Sequence, residues 1–149
     1  MMPEKSVYGN WPRSGEIDIV ETINEKSDEL VTTIHYGHDY HRQISKTTFL
    51  NQLTKLSNPI DHNKISLIWE DEYFEWLLND QLVFKVNFNE VENLMPNPFL
   101  EEFYLLINVA VGGNWPGPPN SSMYCNSRKS CPDVKKLILD YIAYYEKIN

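Results

Sequence analysis

The stretch that decides the fold runs from residue 14 to residue 21 and reads Ser14-Gly15-Glu16-Ile17-Asp18-Ile19-Val20-Glu21. Polar and apolar residues alternate at its start, which is the period-two pattern of a β-strand with one buried face. Glu16 and Asp18 are two residues apart and therefore share a side. Glu21 is five residues from Glu16, so a regular strand would turn it into the core, where an unpaired carboxylate is costly. The sequence therefore predicts a β-bulge near Ile19-Val20 that returns all three acids to one face.

Three acids on one face of a strand are suited to glycoside hydrolysis. Retaining glycosidases hold two carboxyl groups about 5–5.5 Å apart, one as nucleophile and one as proton donor. In this hypothesis Glu16 is the nucleophile, Glu21 is the general acid/base, and Asp18 orients Glu16 and makes the two glutamates titrate differently. The alternative is an amphipathic strand with a solvated acidic face, and the flanking residues favour the catalytic interpretation.

Aromatic residues on stiff loops flank the acidic strand and a second apolar run. Trp11-Pro12 precedes the acids, and Trp115-Pro116 follows Gly112-Gly113. An indole held at a surface stacks on the apolar face of a sugar ring, so both tryptophans are predicted to bind substrate, with core packing as the alternative. His35 is predicted to contact sugar hydroxyls. Residues 35–41 contain three histidines, but apart from Asp39 no cysteine or acid has a matching offset for zinc, so neither a metal nor a cofactor is predicted.

Short β-branched and apolar runs predict about eight strands and an all-β sandwich or jelly roll. Phe103–Val111 is nearly all apolar, as in a central strand covered on both faces. Leu137–Tyr145 has the length of either a strand or a helix, and Phe49–Leu56 is a short helix or a loop. Trp69 is predicted to pack a sheet. The remaining predicted strands cover residues 30–36, 64–69, 73–78 and 82–86, with a turn at Asn79-Asp80.

Composition restricts the classes of partner. The 149 residues fit one domain, and 42% of them are hydrophobic. The net charge of −8 and the scattered Lys and Arg residues argue against nucleic acid and anionic membranes as partners. No apolar run is long enough to span a bilayer, and the polar residues 1–5 contain no signal peptide. Cys125 and Cys131 are either a local disulfide or two free thiols, and Asn120-Ser121-Ser122 is a glycosylation sequon that matters only in a secreted chain.

These residues together resemble glycoside hydrolase family 16. Residues 14–21 are similar to the signature E-x-D-x-x-E of its laminarinase-type branch. Further similar segments occur in the family's order, although Trp69-Glu70 reverses the family's Glu-Trp. They are residues 2–12, 34–37, 68–70, 103–117 and 139–142.

The resemblance implies a concanavalin A-like jelly-roll β-sandwich, with residues 1–149 as a single domain that lacks the family's N-terminal strands. It implies an endo-β-1,3-glucanase that acts with retention, uses the three acids in the roles above, and binds β-glucan through Trp11, Trp115 and His35. It makes residues 139–142 a closing β-strand. A monomer and an extracellular full-length protein are expected. Some family members bind calcium near the closing strand, where only Asp140 could contribute, so no calcium site is predicted.

Three other functions remain open. A non-catalytic β-glucan recognition protein has the same fold but usually lacks the catalytic glutamates. A truncated chain could be an inactive remnant. Transglycosylation shares the covalent intermediate and passes it to a sugar instead of water.

Overall fold

The computed structural model describes residues 1–23, 26, 28–50, 62–118 and 137–147. They divide into two compact units, Met1–Leu106 and Ile107–Asn149. In the described part of the chain, no helix is long and apolar enough to cross a membrane. The first unit contains two 3₁₀ turns (Phe88–Glu90 and Pro98–Leu100) and eight strands: β1 (Met2–Pro3), β2 (Glu16–Glu21), β3 (Glu29–Tyr36), β4 (Arg42–Phe49), β5 (Ile65–Glu70), β6 (Tyr73–Leu78), β7 (Gln81–Asn87) and β8 (Phe103–Tyr104).

The strands form two antiparallel three-stranded sheets and one short pair. One sheet has the order β2-β3-β4, the other has the order β5-β6-β7, and β1 pairs with β8. Asn79 and Asp80, with φ of 50° and 66°, form the predicted tight turn between β6 and β7. The all-β prediction is confirmed.

The two three-stranded sheets share one aromatic-rich core. Ile17 and Ile34 enter it from the first sheet, Phe74 and Trp76 enter it from the second, and all four are fully buried. Phe74 lies edge-on to Trp69, Trp76, Phe88 and Phe99, a geometry that aromatic pairs prefer. Because Ile17 points inward, its neighbours on β2 point outward, and this sets the side on which the acids lie.

Predictions made from apolar runs are confirmed for β3, β5, β6 and β7. The strand β4 was not predicted. Its sequence, Arg-Gln-Ile-Ser-Lys-Thr-Thr-Phe, is mostly polar and half exposed because, among the residues that the structure describes, it is an edge strand of its sheet. Edge strands are rich in charged and polar residues, so hydrophobic patterning is a weak signal for them.

Two predicted strands are wrong. Of Phe103–Val111, only Phe103–Tyr104 is a strand, and the following residues lie outside any strand with Val109 69% exposed. Leu137–Tyr145 is neither strand nor helix, and Tyr145 is 85% exposed. Apolar composition fits a buried strand, but a strand forms only with a hydrogen-bonding partner, and the described residues offer 103–111 only the two-residue β1.

Several predictions fall outside the described residues. These are the helix or loop at residues 51–56, the pairing of Cys125 and Cys131, and the sequon at Asn120.

Ile34 anchors the strand beneath the acids, so its truncation should weaken the whole first unit. We expect Ile34→Ala to lower the free energy of unfolding by about 2–5 kcal/mol, because it leaves a cavity between two sheets. Ile68→Ala on β5, whose side chain is 38% exposed, should cost about 1 kcal/mol or less. Urea unfolding followed by tryptophan fluorescence measures both. Equal losses in the two variants would contradict the assignment of Ile34 to the core.

Candidate active site

A β-bulge interrupts the pairing of β2 with β3. Asp18 pairs with Thr33, whereas Glu21 pairs with Val31, so the register shifts by one residue between them. Two residues of β2 therefore oppose one residue of β3. The bulge predicted near Ile19-Val20 is confirmed at that position.

The bulge changes the alternation of side chains along β2. Ile17 is buried in the main core, and Val20 packs against a second buried cluster although it is three residues further on. In a regular strand those two side chains would face opposite sides. Glu16, Asp18 and Glu21 are all half-buried, and the charges of Asp18 and Glu16 act on Glu21.

His35 connects the acidic strand to β3. It pairs directly with Glu16 in the sheet register, and its Nε2 lies 3.0 Å from Oδ2 of Asp18. Burial lowers the pKa of His35, but the hydrogen bond to Asp18 and the charges of Asp18, Glu16 and Glu21 outweigh it and raise the pKa above its usual value. The structure therefore gives His35 an electrostatic partner in Asp18, while its predicted contact with sugar stays a prediction.

Trp11 contacts Glu16 from the loop before β2. Its Nε1–H donates a 2.7 Å hydrogen bond to Oε2 of Glu16, and the residue remains 51% exposed. The loop is fixed by buried Ser14, whose hydroxyl donates to the carbonyl of Gly9 at 2.7 Å. Gly15 has φ of +81°, and a Cβ there would lie 3.1 Å from the nearest aromatic carbons, so glycine lets the loop pack closely at the start of β2.

His41 is a member of this cluster that the sequence did not predict as a site residue. Its ring centroid lies 5.0 Å from that of His35, and its Nε2 lies 2.8 Å from Nδ1 of His35. It also lies 4.7 Å from the Trp11 ring. The signal that could have identified His41 is its position in the β3–β4 hairpin. His35 pairs with Gln43, so His41 is its diagonal neighbour on the same face.

The electrostatic field of the site acts on Glu21. Burial is the main cause that raises the pKa of Glu21 above its usual value, the charges of Asp18 and Glu16 raise it further, and His35 opposes them. A glutamic acid that keeps its proton to higher pH is suited to protonating a leaving group.

Glu16, Asp18 and His35 also lie close enough together to be considered for a cation. One ligand atom from each lies within 4.8 Å of the other two. Exposed acidic groups commonly show such spacing without an ion, and the Asp18 oxygen already has His35 as its partner. We therefore assign no metal to this group.

The two other tryptophans with predicted roles, Trp69 and Trp115, have different surroundings. Trp69 donates from Nε1 to the carbonyl of Phe99 at 3.0 Å and lies edge-on to Phe103, so its predicted packing role is confirmed. Trp115 belongs to the second unit and is 54% exposed in a turn closed by a bridge between Gly113 and Gly117. Its predicted contact with substrate stays a prediction.

Two proteins with similar sequences are glucan endo-1,3-β-glucosidases. The chain is 35% identical over 139 residues to glucan endo-1,3-β-glucosidase A1 of Niallia circulans, which covers 82% of this chain and 19% of that protein. It is 34% identical over 122 residues to a glucan endo-1,3-β-glucosidase of Cryptopygus antarcticus, covering 78% and 45%. The laminarinase catalytic domain of Thermotoga maritima superposes with a TM-score of 0.65 and 28% identity over 77% of this chain and 46% of that one. The chain is laminarinase-like in sequence and in fold.

The match covers only part of each relative. The laminarinase-like chain spans less than half of the length of these two glucosidases and of the Thermotoga domain. It is also 28% identical over 136 residues to a β-1,3-glucan-binding protein of Penaeus monodon, which covers 76% of this chain and 37% of that protein. No protein-family model matches the chain. The fold match confirms the jelly-roll class predicted from the sequence.

The pairing of His35 with Asp18 gives a direct electrostatic prediction. Asp18→Asn should lower the pKa of His35, because the negative charge and the charge-assisted hydrogen bond are lost while the burial that opposes protonation remains. His35 should therefore lose its proton at a lower pH than in the unaltered chain. An NMR titration of the imidazole resonances measures this.

Asp39→Asn is the matched control. Asp39 lies beside exposed His38 at 3.3 Å, so the same change of charge there should leave His35 unaffected. An unchanged His35 titration in Asp18→Asn would show that the contact does not exist in solution.

Proposed function

We propose that this laminarinase-like chain is a member of glycoside hydrolase family 16 and carries the catalytic strand of an enzyme that hydrolyses internal β-1,3-glucosidic bonds of β-glucans with retention of configuration. The observation that supports this most is the bulge in β2, because it lets residues 16, 18 and 21 share a side in a sequence whose parity otherwise forbids it. The similarity to endo-1,3-β-glucosidases supports the choice of β-glucan as the substrate class.

The proposed reaction proceeds in two steps. In the first, a carboxylate oxygen of Glu16 attacks the anomeric carbon, the glycosidic C–O bond breaks, and Glu21 gives its proton to the departing oxygen. In the second, Glu21 takes a proton from water, the resulting oxygen attacks the same carbon, and the ester bond to Glu16 breaks. Two inversions at one carbon retain its configuration, and both carboxyl groups return to their initial states.

The groups around the acids support these roles. Trp11 holds Oε2 of Glu16, so we assign Oε1 to the attack. A positioned nucleophile avoids the entropic cost of aligning it during the reaction. The charge of Asp18 helps Glu21 keep the proton that the first step requires, and His35 holds Asp18 in place.

Substrate binding is proposed to use exposed aromatic surface. The half-exposed indole of Trp11 lies beside the nucleophile, where it can stack on a glucose ring next to the scissile bond. We also assign a contact with sugar to Trp115, whose indole is exposed on the second unit. A neutral polymer suits a chain with a net charge of −8, which would repel polyanions.

A second candidate function is recognition of β-glucan without turnover. The similarity to the Penaeus β-1,3-glucan-binding protein favours it. Both candidates require glucan binding, and only the enzyme requires Glu16 and Glu21 to act on the bond.

The two glutamates should respond differently to substitution. Glu16→Gln should abolish release of reducing ends from laminarin and leave laminarin binding largely intact, because it removes the nucleophile and keeps the shape. Glu21→Ala should regain turnover with azide on an aryl β-glucoside with an activated leaving group, and the azide product should retain the β configuration, because azide replaces the water that Glu21 activates.

Glu75→Gln is the control, since Glu75 lies on β6 and pairs with Lys85 at 2.9 Å. It should leave turnover unchanged. Undiminished turnover in Glu16→Gln would end the assignment of the nucleophile, and laminarin binding without turnover in the unaltered chain would favour the recognition protein.

A further inference from the structure

His41 makes a specific contact that the proposed reaction does not use. The rings of His35 and His41 meet edge to edge with 28° between their planes, and Nδ1 of His35 lies 2.8 Å from Nε2 of His41. At that distance two ring nitrogens are joined by a hydrogen bond, so one proton lies between them. The opposite nitrogen of His35, Nε2, contacts the carboxylate of Asp18.

The contacts from Asp18 through His35 to His41 allow two protonation states of the histidine pair. The ionised carboxylate of Asp18 only accepts, so Nε2 of His35 carries a hydrogen in both states. In the neutral state His41 donates its Nε2–H to the bare Nδ1 of His35. In the charged state His35 carries hydrogens on both nitrogens and donates Nδ1–H to His41, whose own hydrogen is on Nδ1.

We propose that His35 and His41 form a one-proton relay, in which a proton taken up at Nδ1 of His41 places the positive charge on His35 beside the carboxylates. On uptake, a new N–H bond forms at His41 Nδ1, the hydrogen on His41 Nε2 moves to His35 Nδ1, and the pair gains one positive charge. His41 changes tautomer and remains neutral.

The surroundings of the two rings favour the charge on His35. The carboxylates of Glu16, Asp18 and Glu21 on β2 all act on His35. Only Glu16 among them acts on His41, and burial followed by the charge of His35 lowers the pKa of His41. His41 is exposed and accepts the proton from solvent, whereas His35 is half-buried against the acids. The Met1 amine also lies near these carboxylates.

The loop between β3 and β4 is built to hold His41 in this position. Gly37 has φ of +119°, and a Cβ there would lie 2.1 Å from the carbonyl oxygen of Tyr40, so only glycine allows the chain to turn this tightly. Arg13 donates from Nε to the carbonyl of His38 at 2.8 Å, which ties this loop to the loop that carries Trp11. The Trp11 ring lies 4.7 Å from the His41 ring and limits its movement.

The relay would regulate the site, and this consequence rests on the proposed function. A positive charge on His35 lowers the pKa of Glu21. Protonation of the histidine pair would therefore make Glu21, the general acid, release its proton more easily. Deprotonation of the pair would help Glu21 keep its proton. His41 is in this sense a positioning residue, because it acts on Glu21 only through His35.

The test is ¹⁵N NMR of the histidine rings in the unaltered chain across the pH range in which the pair titrates. Nitrogen shifts and N–H correlations distinguish protonated from bare ring nitrogens. We expect His35 to keep its Nε2 hydrogen throughout and to gain a hydrogen on Nδ1 at low pH, while the hydrogen of His41 moves from Nε2 to Nδ1 at the same midpoint. Separate midpoints, or an imidazolium on His41, would overturn the relay.

His41→Phe keeps an aromatic ring at this position and removes the nitrogen. In that variant His35 should titrate at a lower pH, because its charged form leaves Nδ1–H without an acceptor. His38→Phe, in the same loop with an exposed side chain, should leave the titration of His35 unchanged. An unaltered His35 titration in His41→Phe would overturn the proposal. No substrate is used, so a chain that fails to hydrolyse laminarin still gives either result.

Discussion

One extra residue in β2 determines on which side of the strand its acidic residues lie. Side chains alternate strictly along a regular strand, so residues 16 and 21 would otherwise lie on opposite sides of the sheet. The register shift between Asp18 and Glu21 removes that conflict and keeps Ile17 and Val20 in contact with apolar clusters. The same bulge thus keeps the apolar side chains of β2 packed against the core and lets the three acids share one side.

The core and the surrounding loops make this arrangement specific. Ile17 and Ile34 are fully buried between the two sheets, which fixes which faces of β2 and β3 point outward. His35 then faces Asp18, and the Trp11 loop reaches Glu16 by a hydrogen bond. Electrostatics follows from packing: burial together with the charge of Asp18 raises the pKa of Glu21 above its usual value.

Sequence reasoning succeeded where a local rule had only one solution. The parity of the acids required the bulge, and a short apolar run predicted β6 at its observed bounds. Predictions from the sequence failed where the formation of a strand depends on a partner strand elsewhere in the chain. Residues 105–111 and 137–145 have the composition of strands but are not paired, and the polar β4 exists because it pairs with β3. His41 was missed for the same reason, since its contact with His35 depends on hairpin register.

The most direct test of the central claim changes the number of residues in the bulge and measures laminarin hydrolysis. Deleting Ile19 removes the extra residue while Asp18 and Glu21 keep their partners on β3, so a regular ladder still has all three acids on one side. Deleting Ile19 and Val20 together makes Asp18 and Glu21 neighbours and should turn Glu21 toward the core. We predict that the single-deletion variant keeps turnover and that the double-deletion variant loses it. Loss in the single-deletion variant with retention in the double-deletion variant would contradict the account.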